Sequence, residues 1–187
     1  MHRLRCYLVD VIKSQEELKR KLVEFVGSGK PAIICLGSEF GGDDSVGLYI
    51  YEKLVAEGFE NVVSCEDDLI TCVYEVVSGG RPSTLIIIDA VDLGLTPGII
   101  VTSYLEEVEE STTQISTHRL SLTAVVELLK EVAKYRFETV VIGIQIGRVG
   151  PDRGISDEVL RAADIVVHGL NGLREILRRG SISNPHT

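Results

Sequence analysis

Two short segments of this chain are apolar at nearly every position, and they constrain the fold more than any other feature. Ala32-Ile-Ile-Cys-Leu36 and Thr84-Leu-Ile-Ile-Ile-Asp89 are dominated by Ile, Leu and Ala, with no charged residue before Asp89. A strand with one face in water alternates apolar and polar residues; a strand covered on both faces does not. Amphipathic patterns separate these runs. Ser14 to Glu17 reads as a capping box, Ser-x-x-Glu, with Leu18, Leu22, Phe25 and Val26 forming a stripe that Gly27 and Gly29 end. Further helices are expected from Asp43-Asp44 to about Glu57, and over 68–78, 120–135 and 156–179. Further strands are expected at 5–11, 61–65, 99–102 and 139–144, and residues 104–118 read as an acidic, hydroxyl-rich loop. The spacing predicts an α/β fold, a three-layer α/β/α sandwich with a mostly parallel twisted sheet. A chain of 187 residues suits one domain. It divides into an N-terminal extension (1–30, strand plus helix), a core (31–179) and a loose tail (180–187).

Composition narrows the partners. The formal net charge is −9, which repels phosphate backbones and argues against nucleic acid. Every apolar run falls short of the ~20 residues that a bilayer needs, so no membrane association is expected. The first residues are positive and then briefly apolar, but Asp10 interrupts them and they do not read as a signal peptide. Cys6, Cys35, Cys65 and Cys72 form no C-x-x-C pair. They are expected to be free, buried thiols of a reducing, cytoplasmic compartment. A single Met, no Trp and many Ile, Val, Glu and Arg hint at a thermophilic source.

In parallel sheets, sites form beyond the C-terminal strand ends. Three residues stand at such places. Asp44 follows the loop Gly37-Ser-Glu-Phe-Gly-Gly42 at a helix start, where a carboxylate commonly caps free N–H groups. One carboxylate is enough for that, so Asp43 is read as the cap and Asp44 as facing the crevice. Asp89 ends an apolar strand; its neighbour Asp92 reads as a turn residue. His118 lies in Ser116-Thr-His-Arg-Leu120, just before a helix, where an ordinary surface histidine would also fit. Together the three form an O, O, N donor set suited to nickel or zinc with coordination positions left open. Gly37 to Gly42 lacks the Gly-Lys-Ser/Thr ending of a Walker loop and is not G-x-G-x-x-G, and no G-x-S-x-G elbow occurs.

At these residues the sequence resembles the hydrogenase maturation endopeptidases. Gly37-Ser-Glu-Phe-Gly-Gly-Asp-Asp-Ser-Val-Gly47 is similar to that family's G-N-x-L-x-x-D-D-x-x-G segment, with Ser38 in place of Asn. Ile88-Asp-Ala-Val-Asp-Leu-Gly-Leu-Thr-Pro-Gly98 resembles its I-D-A-x-D-x-G-x-x-P-G segment. Thr117-His118 and Gly143-Ile-Gln145 match two shorter ones. The likeness spans about residues 32–167. Cys65-Glu-Asp-Asp68 departs from the D-G-G-T-like stretch found there in many members. The resemblance implies that Asp44, Asp89 and His118 are both the metal ligands and the catalytic groups. It implies a hydrogenase large-subunit precursor as partner, from which a C-terminal extension is removed. It also implies nickel delivered by that substrate, with no metal required in the free enzyme. Two other readings share these residues: a non-catalytic nickel chaperone or adaptor, and a different α/β hydrolase, for which Arg148 and Arg153 are the loop cations available.

Overall fold

The computed structural model describes residues 9–39, 41–66, 68–109, 122–150 and 154–182. Strand β1 (Asp10–Ile12) leads into helix α1 (Gln15–Val26). The predicted cap is present: Ser14 Oγ accepts from the Glu17 N–H at 3.2 Å, and Glu17 Oε2 accepts from the Lys13 N–H at 2.9 Å. Gly27, with φ 56°, closes the helix by donating to the Val23 carbonyl. The core follows as β2 (Pro31–Leu36), a 3-10 turn (Asp43–Ser45), α2 (Val46–Ala56), β3 (Val62–Cys65), α3 (Leu69–Gly80), β4 (Thr84–Val91) and β5 (Ile100–Tyr104). Then come α4 (Leu105–Glu109), α5 (Leu122–Ala133), β6 (Glu138–Gln145) and α6 (Asp157–Ile182).

The six strands form one sheet in the order β1-β5-β6-β4-β2-β3. Strands β3, β2, β4 and β6 run parallel; β5 is antiparallel to β6, and β1 is antiparallel to β5. From β2 the chain steps outward through α2 to β3, then back across β2 through α3 to β4. Right-handed crossovers in opposite directions put their helices on opposite faces, and so they lie. Ile33, Cys35, Ile86, Ile88, Ile142 and Ile144 pack under α1, α2 and α6. Ile34, Leu36, Leu85, Ile87 and Val141 pack under α3 and α5. The fold is therefore the three-layer α/β/α sandwich, and the doubly apolar runs are its central strands. Each fully buried Ile or Leu of these runs contributes roughly 1.5–3 kcal/mol by leaving water.

Several details differ from the sequence expectation. The segment after β5 opens with helix α4 rather than a loop. Its nucleus is tertiary: Leu105 is buried, Ser103 Oγ donates to Glu107 at 3.2 Å, and Lys130 of α5 bonds Glu106 at 3.0 Å. Helix α6 runs on to Ile182, past the expected stop at Arg179. Cys65 and Cys72 are not free thiols. They form a disulfide with Cα atoms 6.1 Å apart, because the end of β3 and the first turns of α3 face each other across a tight connection. Among the described residues Cys35 alone is a free cysteine, fully buried in β2. Burial pushes its thiol up to about 12. Cys6 lies outside the described residues. Among the described residues no helix is long and apolar enough to cross a membrane.

Candidate active site

The order of strands reverses about β2, which has β3 on one side and β4 on the other. The crevice beyond the C-terminal ends of β2 and β4 is thus the switch point at which such sheets bind ligands. Asp44 and Asp89 flank it. Asp44 lies in the 3-10 turn after β2, and that turn packs against β4. Asp89 lies in β4 itself, one residue beyond Ile88, the register partner of Cys35 in β2. On its other side Asp89 is in register with Gly143 of β6. The strand continues two residues past Asp89 rather than ending there. Alternation along β4 puts Asp89 on the face of Leu85 and Ile87, the side covered by α3 and α5. Asp44 is 9% exposed and Asp89 2%. Carboxylates that deep need partners or a cation.

Two glycines let the Asp44 turn sit where it does. A Cβ on Gly41 would stand 2.5 Å from Asp44 Cβ and 3.1 Å from its Oδ2. A Cβ on Gly47 would collide with the Leu36 carbonyl. Helix α2 therefore starts directly against the backbone of β2, and only hydrogen atoms fit at both positions. These are glycines of the G-G-D-D-x-x-G pattern, and close approach accounts for both.

Asp43 does not cap its own helix, as the sequence had suggested. The turn has no side-chain cap. Instead the fully buried Asp43 carboxylate reaches across to the connection between β6 and α6. Oδ2 accepts from the N–H groups of Gly147 (2.9 Å) and Arg148 (2.8 Å), and Oδ1 accepts from that of Ser156 (2.7 Å). The Asp43 N–H donates to the Arg148 carbonyl at 2.9 Å, and Gly42 pairs with Val149 in an isolated bridge. Burial pushes the Asp43 carboxyl up, but the N–H donors of Ser156, Gly147 and Arg148 outweigh it and hold it below its ordinary range. Sequence reasoning missed this clamp. The available signal was the tandem aspartate, which supplies one carboxylate more than a cap needs.

Gln145, at the end of β6, was also missed as a working residue. Its Oε1 accepts from the N–H groups of Leu93 (2.8 Å) and Leu95 (3.2 Å), while Nε2 donates to Asp92 Oδ1 (3.2 Å) and to the Ile146 carbonyl (2.8 Å). Asp92 in turn accepts from the Gly94 N–H at 3.2 Å, so it is the turn residue that the sequence predicts. One buried amide thus fixes the loop that leaves β4 two residues after Asp89.

His118 lies outside the described residues. Helix α5, which follows it in sequence, packs on the face that Asp89 shares. Among the described residues no group of three His, Cys, Asp or Glu side chains is gathered to hold a metal; the structure brings Asp44 and Asp89 to the same crevice. Arg148 works here through its backbone, with its side chain exposed, and Arg153 lies outside the described residues. A cavity of about 840 Å³ lined by Lys30, Ile33, Phe59, Arg174 and Leu177 opens at the other end of β2, away from both carboxylates.

The family model for hydrogenase maturation proteases, HycI, matches residues 68–170. The hydrogenase 3 maturation protease of Escherichia coli K12 is 30% identical over 145 residues, covering 75% of this chain and 88% of the relative. The chain belongs to the hydrogenase maturation protease family. Solved structures of the family share the fold. The NiFe hydrogenase maturation protease HybD from Thermococcus kodakarensis superposes with a TM-score of 0.65 at 27% identity, covering 77% of this chain and 98% of that one. The endopeptidase HycI from Escherichia coli gives 0.64 at 26% identity, with 78% and 91% covered. In this family member Asp44 precedes the matched span and Asp89 falls inside it.

Proposed function

We propose that the protein is a cytoplasmic endopeptidase that removes the C-terminal extension of a nickel-loaded hydrogenase large-subunit precursor. The observation that carries this reading is the pair of buried carboxylates, Asp44 and Asp89, on either side of the β2–β4 switch point in a chain of the maturation protease family. Nickel enters as part of the substrate. Asp44, Asp89 and His118 offer an O, O, N set that holds a first-row cation weakly until the precursor adds its own ligands. Only a loaded precursor then docks productively, which places the scissile bond by proximity and orientation. Two chemistries fit this docking: the cation would polarise the scissile carbonyl or a bound water, or it would serve only as the recognition signal while one aspartate accepts the proton of the attacking water. The disulfide is compatible with a cytoplasm if the source is thermophilic, since intracellular disulfides are common in hyperthermophiles.

The test is a processing assay: the purified chain with the large-subunit precursor, loaded or not with nickel, read by product mass. Loss of a short C-terminal peptide from the loaded form alone is expected, and Asp89→Ala should abolish it. Normal processing by that variant would remove Asp89 from the site. No cleavage of an authenticated loaded precursor would leave a non-catalytic nickel adaptor as the better reading.

A further inference from the structure

Two backbone hydrogen bonds link the strand end that carries Cys65 to the Asp44 turn. Cys65 ends β3 in register with Leu36, the last residue of β2. Its carbonyl accepts from the Gly37 N–H at 3.3 Å, and the next residue, Ser38, donates its N–H to the Asp44 carbonyl at 3.3 Å. Ser45 Oγ also donates to the Ser38 carbonyl at 2.5 Å. The path from disulfide to carboxylate-bearing turn is therefore one hydrogen bond from Gly37 to Cys65, the Gly37–Ser38 peptide bond, and one hydrogen bond from Ser38 to Asp44. On its other side the disulfide grips the start of α3. There Asp68 accepts from the Thr71 N–H at 3.0 Å, and Cys72 donates its N–H to the Asp68 carbonyl at 3.1 Å. Ile70, in that first turn, is 41% exposed at the same end of the sheet as the crevice. The cross-link thus ties together a strand end that holds the Asp44 loop and a helix start at the same end of the sheet.

The two sulfurs are unequally placed. Cys65 is buried, 2% exposed, whereas Cys72 is partly exposed. A reductant meets Cys72 first. A thiolate of an external dithiol attacks Cys72 Sγ, the S–S bond breaks, and Cys65 leaves as a thiolate that takes up a proton. The second thiol of the dithiol then displaces Cys72, which leaves in the same way. Two electrons pass from dithiol to disulfide, and the dithiol ends as a disulfide.

We propose that the Cys65–Cys72 disulfide is a redox-sensitive positioning element of the processing site: closed, it fixes the start of α3 against the end of β3 and, through that strand end, the loop that carries Asp44, and a cellular dithiol slackens both. The proposal rests on the processing reading given above. It assigns the disulfide to holding the Asp44 loop in place, so that it acts on substrate engagement and on cleavage through that one carboxylate.

The experiment uses the full chain, equilibrated with graded mixtures of reduced and oxidised dithiothreitol and desalted anaerobically. One aliquot is alkylated and weighed, opening of the disulfide adding two alkyl groups. Another is assayed on nickel-loaded precursor, and a third is followed by amide exchange over residues 37–44. KM should rise roughly tenfold in step with the fraction opened, and kcat should fall with it, because the loop that moves carries Asp44. Exchange at Gly37 and Ser38 should quicken in the same proportion. The double variant Cys65→Ser, Cys72→Ser should show the raised KM whatever the reductant. A disulfide opened by mass with KM unchanged, or none in the oxidised protein, overturns the proposal and leaves the processing reading intact. If neither form cleaves loaded precursor, the processing reading fails and this inference falls with it.

Discussion

Replacing Asp43 with asparagine asks whether one carboxylate holds the β6–α6 connection against the Asp44 turn. Asparagine has nearly the same shape but one acceptor oxygen. With that oxygen in the Oδ2 place it keeps Gly147 and Arg148, and its amide nitrogen meets the Ser156 N–H donor to donor. With the amide turned round it keeps Ser156 and loses the other two. The better orientation forfeits one buried N–H acceptor and the charge assistance of two more bonds, which together cost roughly 2–3 kcal/mol. Asp43→Ala leaves all three donors without an acceptor, and roughly 3–5 kcal/mol is expected, part of it recovered by water. For a domain of this size each kcal/mol moves Tm by about 2–4 °C, so the alanine variant should melt on the order of 10 °C lower. Urea unfolding followed by circular dichroism gives the stability, and native-state amide exchange gives the location. Gly147, Arg148 and Ser156 should lose protection more than amides of β4. An asparagine variant within about 0.5 kcal/mol of the parent, with those three amides still protected, would show that the clamp holds nothing.

Other expectations follow from separate parts of the structure. Gln145→Leu removes the acceptor of the Leu93 and Leu95 N–H groups; it should cost about 2–3 kcal/mol in chemical unfolding and speed proteolytic nicking between 92 and 98. Gly47→Ala forces a methyl into the Leu36 carbonyl and should yield little folded protein, judged by soluble yield and circular dichroism. Cys35, with its thiol raised to about 12, should resist iodoacetamide in the native protein up to about pH 10 and react only on unfolding; labelling at pH 8 would contradict its burial. Opening the Cys65–Cys72 disulfide, which closes a short loop, should lower stability by roughly 2–3 kcal/mol in urea titrations with and without reductant.

The fold was legible because two apolar faces leave a pattern that one cannot. Leu85 and Ile87 go to one core, Ile86 and Ile88 to the other, and a run without polar interruption admits few alternatives. Ser14 and Gly27 were legible because capping is local. Helix α4 was not, since its residues become helical through Leu105 and Lys130, neither of which a scan of the acidic segment weighs. The disulfide depends on how closely β3 and α3 approach, which the spacing of Cys65 and Cys72 does not state. Asp44 and Asp89 could be picked out by position relative to strand ends. The roles of Asp43 and Gln145 could not, because their partners lie 104 and 52 residues away in the chain. His118 could be picked out as a loop histidine before a helix, and it lies outside the described residues.

The hydrogen bonds of Gln145 bear on how such a protein can change over generations. The amide grips the loop after β4 through main-chain N–H groups and through Asp92. The exposed side chains of Leu95 and Thr96 can therefore vary without loosening those bonds, while Pro97 packs against Gly147 and Asp89 stays rooted in a strand buried at all eight positions. Substitutions at those two positions could accumulate by small steps while the loop backbone and the carboxylate beneath it stay unaltered. The shape of the loop and the identity of its exposed side chains are, in this architecture, set by different residues.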